Sequence, residues 1–296
     1  MSQVDRLKRS PSSFRRLTGL TPDKFDALLA ELTPRYEAAE AKRLGRPGRK
    51  RKPGAGRKFG LPLADRLLML LVYYRTYVTH AFLGFVFGVD DATVGRNINP
   101  LQPLLAGIFR IPERRVTLDE DEVRELFFDC TEQAVNRPGP GRGQRAFYSG
   151  EKKRHTAKHQ VVVVVRRKKP GPHPGGVPRP RRLRVAAVSP LFPGKVHDKK
   201  AYDRTRVTAP PGVRRAGDTA YKGTPLRTPH KKPRGGRLTR RQKRANRRLS
   251  RRRVVVEHAI GKMKIWRAAA DRFRSPPRRH TLVVKNVAGL HNLMFS

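Results

Sequence analysis

Residues 160–166, QVVVVVR, contain the pattern that decides the fold. Five consecutive β-branched valines are expected in a strand that is covered on both faces, as in α/β domains. Residues 125–129, ELFFD, predict a short strand that ends in an aspartate. Residues 182–188 and 213–218 predict two further strands, the last of which ends at Asp218. Together the four segments predict a sheet.

The segments between and after these strands have helical patterns. A helix is predicted over 197–206, a long basic helix begins at Thr239, and an apolar closing helix covers 282–295. Three strands, a helix, a fourth strand and further helices form the order known for the ribonuclease H-like fold. Other α+β folds also combine a three-strand meander with a crossover helix, so the order alone does not settle the fold. The fold class expected is α/β.

The long basic helix contains residues 250–264, SRRRVVVEHAIGKMK, in which Glu257 is the single carboxylate. At about 100° per residue, Glu257 falls beside an apolar side of the helix, which predicts a position at the rim of a core. Its own side carries Ser250, Arg253, Gly261 and Lys264, and the apolar side carries Leu249, Val256, Ile260 and Met263. Periodicity alone also permits a surface glutamate on an amphipathic helix, or a strand over 254–256.

Asp129 and Asp218 change this interpretation, because ligand sites in α/β sheets gather where strands end. Phosphoryl transfer between DNA strands uses two divalent cations about 3.5–4 Å apart. Mg²⁺ takes oxygen ligands, so a few carboxylates from different elements suffice. Asp129, Asp218 and Glu257 could supply such a set. The chain has no GxxxxGK[ST] loop, so no nucleotide cofactor is expected.

The charge of the chain indicates a polyanionic partner. Lys and Arg number 68 against 23 Asp and Glu, a formal net charge of +45 over 296 residues. A compact protein this positive repels itself unless polyanions screen it, and nucleic acid has the matching charge density. An anionic membrane surface is the alternative, but the basic residues are spread along the chain and are not confined to one amphipathic helix.

Other features predict a cytoplasmic protein with no membrane segment. No apolar run reaches the roughly 18 residues that cross a bilayer, and residues 1–10 lack the apolar core of a secretory signal. Cys130 is the sole cysteine, so an intrachain disulfide is excluded and a reducing compartment is expected. His155 and His159 have a metal-ligand spacing, but they lie among Lys and Arg, where phosphate contact or exposure is expected.

The first part of the chain has an all-helical character. Residues 11–40 predict short amphipathic helices, and residues 42–60, KRLGRPGRKRKPGAGRKFG, predict a basic arm that either holds phosphates or is a solvated linker. Residues 61–109 predict three closely spaced helical pieces. A helix over 80–88, a tight turn and a helix from Ala92 have the proportions of a helix-turn-helix DNA reader, although any small three-helix bundle shares this outline. The side chains expected to face a groove are Thr93, Arg96 and Asn97.

Five motifs follow one another in the second part: DCTE at 129–132, YSGEKKRHT at 148–156, PGKVHD at 193–198, GDTAYKG at 217–223 and PHKKP at 229–233. Together they resemble bacterial insertion-sequence transposases of the DDE class, in the branch related to the eukaryotic Harbinger nucleases. The pattern Ser250-x2-Arg253-x3-Glu257-x6-Lys264 is similar to the third-carboxylate signature of that family. A sister branch has Tyr where this chain has Ser250, which puts in doubt any step assigned to that Tyr. The resemblance covers residues 61–293.

The resemblance implies a role for several residues. Asp129, Asp218 and Glu257 would form the metal-binding triad on a ribonuclease H-like core, with two Mg²⁺ or Mn²⁺ ions. Arg253 and Lys264 would contact transposon-end DNA near the scissile phosphate. His197 and Asp198 match a His-Asp pair of the family, whose role is left open as structural or metal-adjacent. From the strand pattern itself, Thr131 shares the face of Asp129 and could support it by hydrogen bonding.

The expected protein is therefore a transposase that binds terminal inverted repeats in double-stranded DNA, cleaves there and joins the ends to target DNA. It would act as a homodimer on DNA in the bacterial cytoplasm, associated with the nucleoid. The expected division is a helical segment at 1–41, the basic arm at 42–60, a helix-turn-helix domain at 61–112 and the nuclease domain at 117–296. The alternatives are a transposase-derived, non-catalytic DNA-binding protein or repressor and a basic RNA-associated protein.

Overall fold

The computed structural model describes residues 2–45, 48, 60–140, 143–166 and 183–295. Most of the basic arm expected at 42–60 lies outside the described residues. The chain divides into two compact units, Met1–Arg110 with Trp266–Ala268 and Ile111–Ile265 with Ala269–Ser296. Within the described ranges, no helix is long and apolar enough to span a membrane.

The first unit is all-helical, as its sequence predicts. Its helices are α1 (Gln3–Lys8), α2 (Pro11–Thr18), α3 (Pro22–Leu44), α4 (Leu63–Thr76), α5 (His80–Phe87), α6 (Asp91–Ile98) and α7 (Leu101–Phe109). Helix α5 begins after Thr79, whose hydroxyl accepts a hydrogen bond from the Phe82 N–H at 3.2 Å. Helix α6 begins after Asp90, whose carboxylate accepts one from the Thr93 N–H at 2.8 Å. These side chains satisfy N–H groups that have no partner inside their helices.

The turn between α5 and α6 depends on a close backbone approach. The Val89 N–H donates to the Gly84 carbonyl at 2.9 Å, which folds the chain back on α5. A Cβ on Gly84 would lie 2.4 Å from the Val89 carbonyl oxygen, so a larger residue cannot fit without moving the turn. Gly84 therefore fixes how the two helices meet.

The second unit is built on a six-stranded sheet. Its strands are β1 (Glu122–Ala134), β2 (Tyr148–Ser149), β3 (Arg154–Arg166), β4 (Leu183–Val188), β5 (Phe192–Pro193) and β6 (Arg214–Ala216), and its helices are α8 (Gln144–Phe147), α9 (Asp198–Thr205), α10 (Arg240–Met263) and α11 (His280–Phe295). Strand β3 pairs antiparallel with β1, β2, β4 and β5, and β6 pairs parallel with β1. The long strands and helices follow the order that the sequence predicts.

The valine run is covered on both faces, as predicted. Val162 belongs to the apolar cluster that contains Tyr202 of α9. Val161 is also fully buried and points to the opposite face, because successive strand residues alternate. On that face, His159 of β3 lines a small cavity together with Ile260 of α10. The sheet is thus enclosed between α9 on one face and the α10 side on the other.

Two strands are longer than predicted, and one is shorter. The predicted strand ends at Asp129, but β1 continues to Ala134, and β3 begins at Arg154. The extension places Glu132 opposite Lys158, and this cross-strand pairing of opposite charges stabilises a polar segment that has little apolar signal. Strand β6 is shorter than the predicted 213–218, because Asp218 instead caps a 3-10 turn.

Helix α10 begins where predicted, since Thr239 and Gln242 form a capping box at its start. The predicted apolar side is buried, with Leu249, Val256, Ile260 and Met263 inside. Glu257, however, is exposed, so the expectation that it lies at the rim of the core is wrong. Around the helix the buried residues extend from Val255 to Ile260, and Glu257 lies about 60° beyond Ile260, outside this stripe.

Candidate active site and nucleic-acid interface

Asp129 and Asp218 lie at the point where β6 separates from β1. The parallel pairing of these strands ends with Phe127 opposite Ala216. Each aspartate follows two residues later, and residues two apart in an extended chain share a face. The Asp218 carboxylate also accepts a hydrogen bond from the Ala220 N–H at 2.9 Å, which fixes its side chain at the start of the 3-10 turn. The fold therefore places both carboxylates just beyond the same end of the β1–β6 pair, close enough for Asp218 to act electrostatically on Asp129.

The charge around Asp129 confirms that acidic groups gather here. Burial raises the pKa of Asp129 to about 6, and the negative charges of Asp218 and Asp198 add to this rise in pKa. The Cys130 N–H, which donates to Asp129 at 2.8 Å, and the positive charge of Arg253 act in the opposite direction. A divalent cation would relieve the repulsion among these carboxylates, so the electrostatics of the pair fit a metal ion.

Asp198 is held near this site by a buried lysine that the sequence did not reveal. Lys158 Nζ lies 2.8 Å from Asp198 Oδ1 and 3.1 Å from Glu132 Oε1. The side chains of Lys158 and Glu132 are only 8% and 6% exposed. Burial lowers the pKa of Lys158, but the two carboxylates outweigh burial and raise it. The sequence shows opposite charges at Glu132 and Lys158, but they can be recognised as a pair only when the strand register is known.

His197 has a structural position next to this cluster. It is the N-cap of α9, and its Nδ1 accepts a hydrogen bond from the Lys199 N–H at 3.3 Å. The His197 side chain is exposed, whereas that of Asp198 is partly buried in its ion pair with Lys158. Of the His-Asp pair, only Asp198 acts electrostatically on Asp129.

Glu257 does not join the aspartate pair in this conformation. In the part of the chain that the structure describes, no three His, Cys, Asp or Glu side chains are grouped so that they could hold a metal ion. Arg253, which acts on Asp129, precedes Glu257 by one helical turn, and such residues are about 5–6 Å apart on a helix surface. Lys264 is exposed at the C-cap of α10. Glu257 therefore lies about one turn of α10 beyond the guanidinium that acts on Asp129.

The face of β1 and β3 that carries Asp129 and Thr131 also holds a buried histidine pair, further along the strands. His159 was expected to be exposed or to contact phosphate, but it is 1% exposed and stacks on His280, with ring centroids 4.9 Å apart. Its Nε2 lies 2.8 Å from His280 Nδ1, and its Nδ1 lies 2.8 Å from the Ser189 carbonyl. Burial lowers the pKa of His159 to about 4. The prediction was wrong because β3 begins earlier than expected and carries this residue inside. Thr131 lines the small cavity beside the pair.

In the first unit, the predicted DNA-reading residues differ in exposure. Arg96 is exposed, and Thr93 is partly exposed. The Thr93 hydroxyl donates to Asp90 at 2.6 Å, and Arg96 Nη1 donates to that hydroxyl at 3.2 Å, so the first turn of α6 is ordered. Asn97 is 2% exposed, and its amide donates to the Thr93 carbonyl at 2.8 Å. Asn97 therefore does not face a groove, because its side of α6 is turned into the helical unit.

Two family models match the chain. The helix-turn-helix of DDE superfamily endonucleases matches residues 59–110, and the DDE superfamily endonuclease matches residues 180–292. A protein of Microchaete diplosiphon named as a transposase for insertion sequence element IS702 is 27% identical over 289 residues, which cover 94% of this chain and 93% of the relative. A protein of Streptomyces albus G named as a transposase for insertion sequence element IS112 is 30% identical over 286 residues, which cover 96% and 95%. No solved structure matches the chain.

The helix-turn-helix unit and the α/β unit thus define a DNA-binding protein of the DDE endonuclease superfamily. The chain belongs to the transposases of insertion sequences within that superfamily, since the similarity extends along nearly the whole length of both relatives.

Proposed function

We propose that this chain binds the terminal inverted repeats of its insertion sequence, cleaves the DNA at those ends with a divalent metal ion, and joins the freed 3′-hydroxyls to target DNA. The observation that carries the proposal is the Asp129–Asp218 pair, two residues past the last paired residues of parallel β1 and β6. The strand order supports a ribonuclease H-like core, because β1 lies between antiparallel β3 and parallel β6.

Asp129 and Asp218 would hold Mg²⁺ or Mn²⁺, two ions per site, which stabilise the attacking and leaving oxygens of phosphoryl transfer. The residues fit such an ion, because the raised pKa of Asp129 reflects a half-buried carboxylate with acidic neighbours. Arg253 places a positive charge beside the pair and would orient the incoming phosphate. Lys158 keeps Asp198 and Glu132 in place, and so holds the start of α9 against the sheet.

Glu257 is proposed as the third carboxylate. Its support is its spacing from Arg253, one helical turn away on the side of α10 whose arginine acts on Asp129. The Glu257 side chain is exposed and can change rotamer at small energetic cost when substrate arrives. Lys264 lies almost two turns further along the same side of α10 and would contact the DNA flank.

Recognition of the ends is assigned to the helix-turn-helix unit. Arg96 is exposed on α6, and Thr93 joins it in an ordered first turn, the part of a recognition helix that approaches base edges. Phosphate contacts would supply much of the affinity and make it depend on salt. Two ends must be held together during transposition, so we propose a homodimer on DNA.

The test is cleavage of a labelled duplex that carries the flanking inverted repeat, with Mg²⁺, with Mn²⁺ and with chelator. The native chain should cut at the repeat boundary only with metal. Asp129→Asn, Asp218→Asn and Glu257→Gln should each abolish cutting and leave binding of the repeat intact. Asp203→Asn, which removes an exposed carboxylate from α9, is the matched control and should cut normally. Cleavage that survives in Asp129→Asn would contradict the proposal.

A non-catalytic DNA-binding protein or repressor is the second candidate, and the position of Glu257 favours it. Glu257 is exposed, and within the described residues no group of three metal ligands is assembled. On this alternative, the native chain binds the repeat tightly but cuts with neither metal. The same assay therefore decides between the two functions.

A further inference from the structure

A long segment of the second unit contains no acidic residue. Residues 219–256 include fifteen Lys and Arg and no Asp or Glu. The exposed basic residues on its helical part are Arg240, Arg241, Lys243, Arg244, Arg247, Arg248 and Arg251. The first half of α10 is therefore an intense positive surface, separate from Arg253 and Lys264.

Four of these side chains form one row along α10, the arginine row: Arg240, Arg244, Arg247 and Arg251. Spacings of four, three and four residues place them on the same side of a helix. The buried Leu249 lies on the opposite side. At 1.5 Å per residue the row is about 16 Å long. Among the residues that the structure describes, none of the four forms an ion pair, whereas Arg252, off the row, pairs with Glu125.

The arrangement is electrostatically unfavourable for the free helix. No acidic residue lies in its first turn, although the N-terminus of a helix carries partial positive charge and favours anions. Like charges four residues apart, such as Arg240 with Arg244 and Arg247 with Arg251, also repel each other. The helix start is maintained by the capping box of Thr239. A polyanion along the row would remove all of this repulsion.

A second basic segment is attached beside the helix. The His230 N–H donates to Asn246 Oδ1 at 2.8 Å, and Asn246 Nδ2 donates to the His230 carbonyl at 2.9 Å. This pair of hydrogen bonds holds the adjoining loop, with its exposed Lys231 and Lys232, against α10. Because both polar groups of the Asn246 amide are occupied by backbone, the residue cannot read a base edge. The surface therefore offers a dense row of positive charge, and its Asn246 amide is not available for base recognition.

We propose that the arginine row and the loop at 231–234 bind the phosphate backbone of duplex DNA without reading its sequence, and so hold the target DNA. This inference rests on the proposed function, which makes DNA of unspecified sequence the second substrate. Phosphates of one strand follow each other every 3.4 Å or so along the axis, so the row covers about five base pairs. End recognition is left to the helix-turn-helix unit.

The test compares the quadruple variant R240Q/R244Q/R247Q/R251Q with the native chain on a random-sequence 20-base-pair duplex, by fluorescence anisotropy at increasing KCl. Each lost phosphate contact lowers the slope of log affinity against log salt by about 0.9, so a reduction of about 2–4 and an affinity loss of tenfold or more are expected. Gln is a good helix former, so α10 should persist, and an unchanged or higher melting temperature should show this.

The matched control removes four exposed positive charges from the α9 region: K195Q/K200Q/R204Q/R206Q. It should leave the salt slope close to native. Equal loss of slope in both quadruple variants would mean that only total charge matters, and the inference would be wrong. If the row variant lost affinity only for the inverted-repeat duplex, the inference would also be wrong, because the arginine row would then bind the element ends and not DNA of any sequence.

A joining assay separates this inference from the proposed function. Precut repeat ends and a random-sequence plasmid are supplied with Mg²⁺. If the native chain joins them and the row variant joins them as fast, the inference fails while the proposed function stands. If the native chain joins nothing but the row variant still loses affinity for random duplex, phosphate binding by the row stands and the proposed function fails. Joining that falls in the row variant in parallel with its affinity supports both.

Discussion

Replacing Asp129 by Asn should stabilise the second unit when no metal is bound. The folded protein raises the pKa of Asp129 from 3.8 to about 6, so the folded state binds this proton more tightly than the unfolded state does. Stability contributed by this group is therefore present at low pH and is lost as pH rises from 3.8 to 6. The loss is about 3 kcal/mol at pH 7.5 and about 1 kcal/mol at pH 4.5, at about 1.4 kcal/mol per pH unit. Asn keeps the oxygen that accepts the Cys130 N–H and removes the charge.

The assay is thermal unfolding of the native chain and Asp129→Asn with chelator at pH 7.5 and pH 4.5. At about 2–4 °C per kcal/mol for a unit of this size, the variant should melt roughly 6–12 °C higher at pH 7.5 and much less so at pH 4.5. Asp203→Asn removes an exposed carboxylate from a chain of net charge +45, so it should be neutral or slightly destabilising. A variant that melts lower than native at pH 7.5, or that gains equally at both pH values, would refute the reasoning.

Three further predictions concern stability and binding. Gly84→Ala forces a Cβ to 2.4 Å from a backbone oxygen, so it should lower the stability of the first unit by about 2 kcal/mol or more. It should also weaken binding of the inverted repeat in a gel-shift assay. Gly107→Ala, where a Cβ meets nothing, is the control and should do neither. Lys158→Met leaves two carboxylates without their buried partner, so it should lower the free energy of unfolding in urea by about 3–5 kcal/mol. The control is Lys152→Met, which removes an exposed lysine. Equal losses of stability in the two variants would contradict the ion-pair assignment. Burial lowers the pKa of His280 to about 3, so its contribution to stability is complete above pH 6.5 and is lost as pH falls toward 3. The measurement uses Asp129→Asn, because protonation of Asp129 at low pH would otherwise stabilise the folded state and mask this loss. The unfolding free energy of that variant should decline steadily as the pH falls from 6.5 to 3, and a flat profile would contradict the prediction for His280.

Long periodic or β-branched segments could be predicted from the sequence. The run of five valines is enough to predict a strand buried on both faces, and the 3.6-residue period of apolar side chains predicts the buried side of α10. Asp129 and Asp218 could be singled out because each comes at the end of a predicted strand, although the exact ends of both strands were predicted wrongly. These features depend on local composition, and local composition is what a sequence shows directly.

The features that were missed depend on partners far away in the chain. The end of β1 could not be read from residues 130–134, because their strand conformation depends on pairing with β3. His159 is buried only because that same pairing extends far enough to bring His280 against it. Asn97 lies on a short helix, where a one-residue difference in facing decides between solvent and core. The burial of Lys158 could not be predicted from its basic neighbours in sequence, because it depends on ion pairs with the distant Glu132 and Asp198.

The carboxylate pair and the arginine row have the same physical relation to their proposed ligands. In each, the fold holds like charges together, and a ligand of opposite charge would relieve the repulsion and stabilise the folded state by about 2.7 kcal/mol at a hundredfold excess over Kd. The surroundings differ, however, because Asp129 is half-buried while the arginines are exposed. Salt screens exposed charges far more than buried ones. Rising KCl should therefore abolish stabilisation by random duplex DNA well before it abolishes stabilisation by Mg²⁺, and loss of both at the same salt concentration would show that the two sites are not electrostatically distinct.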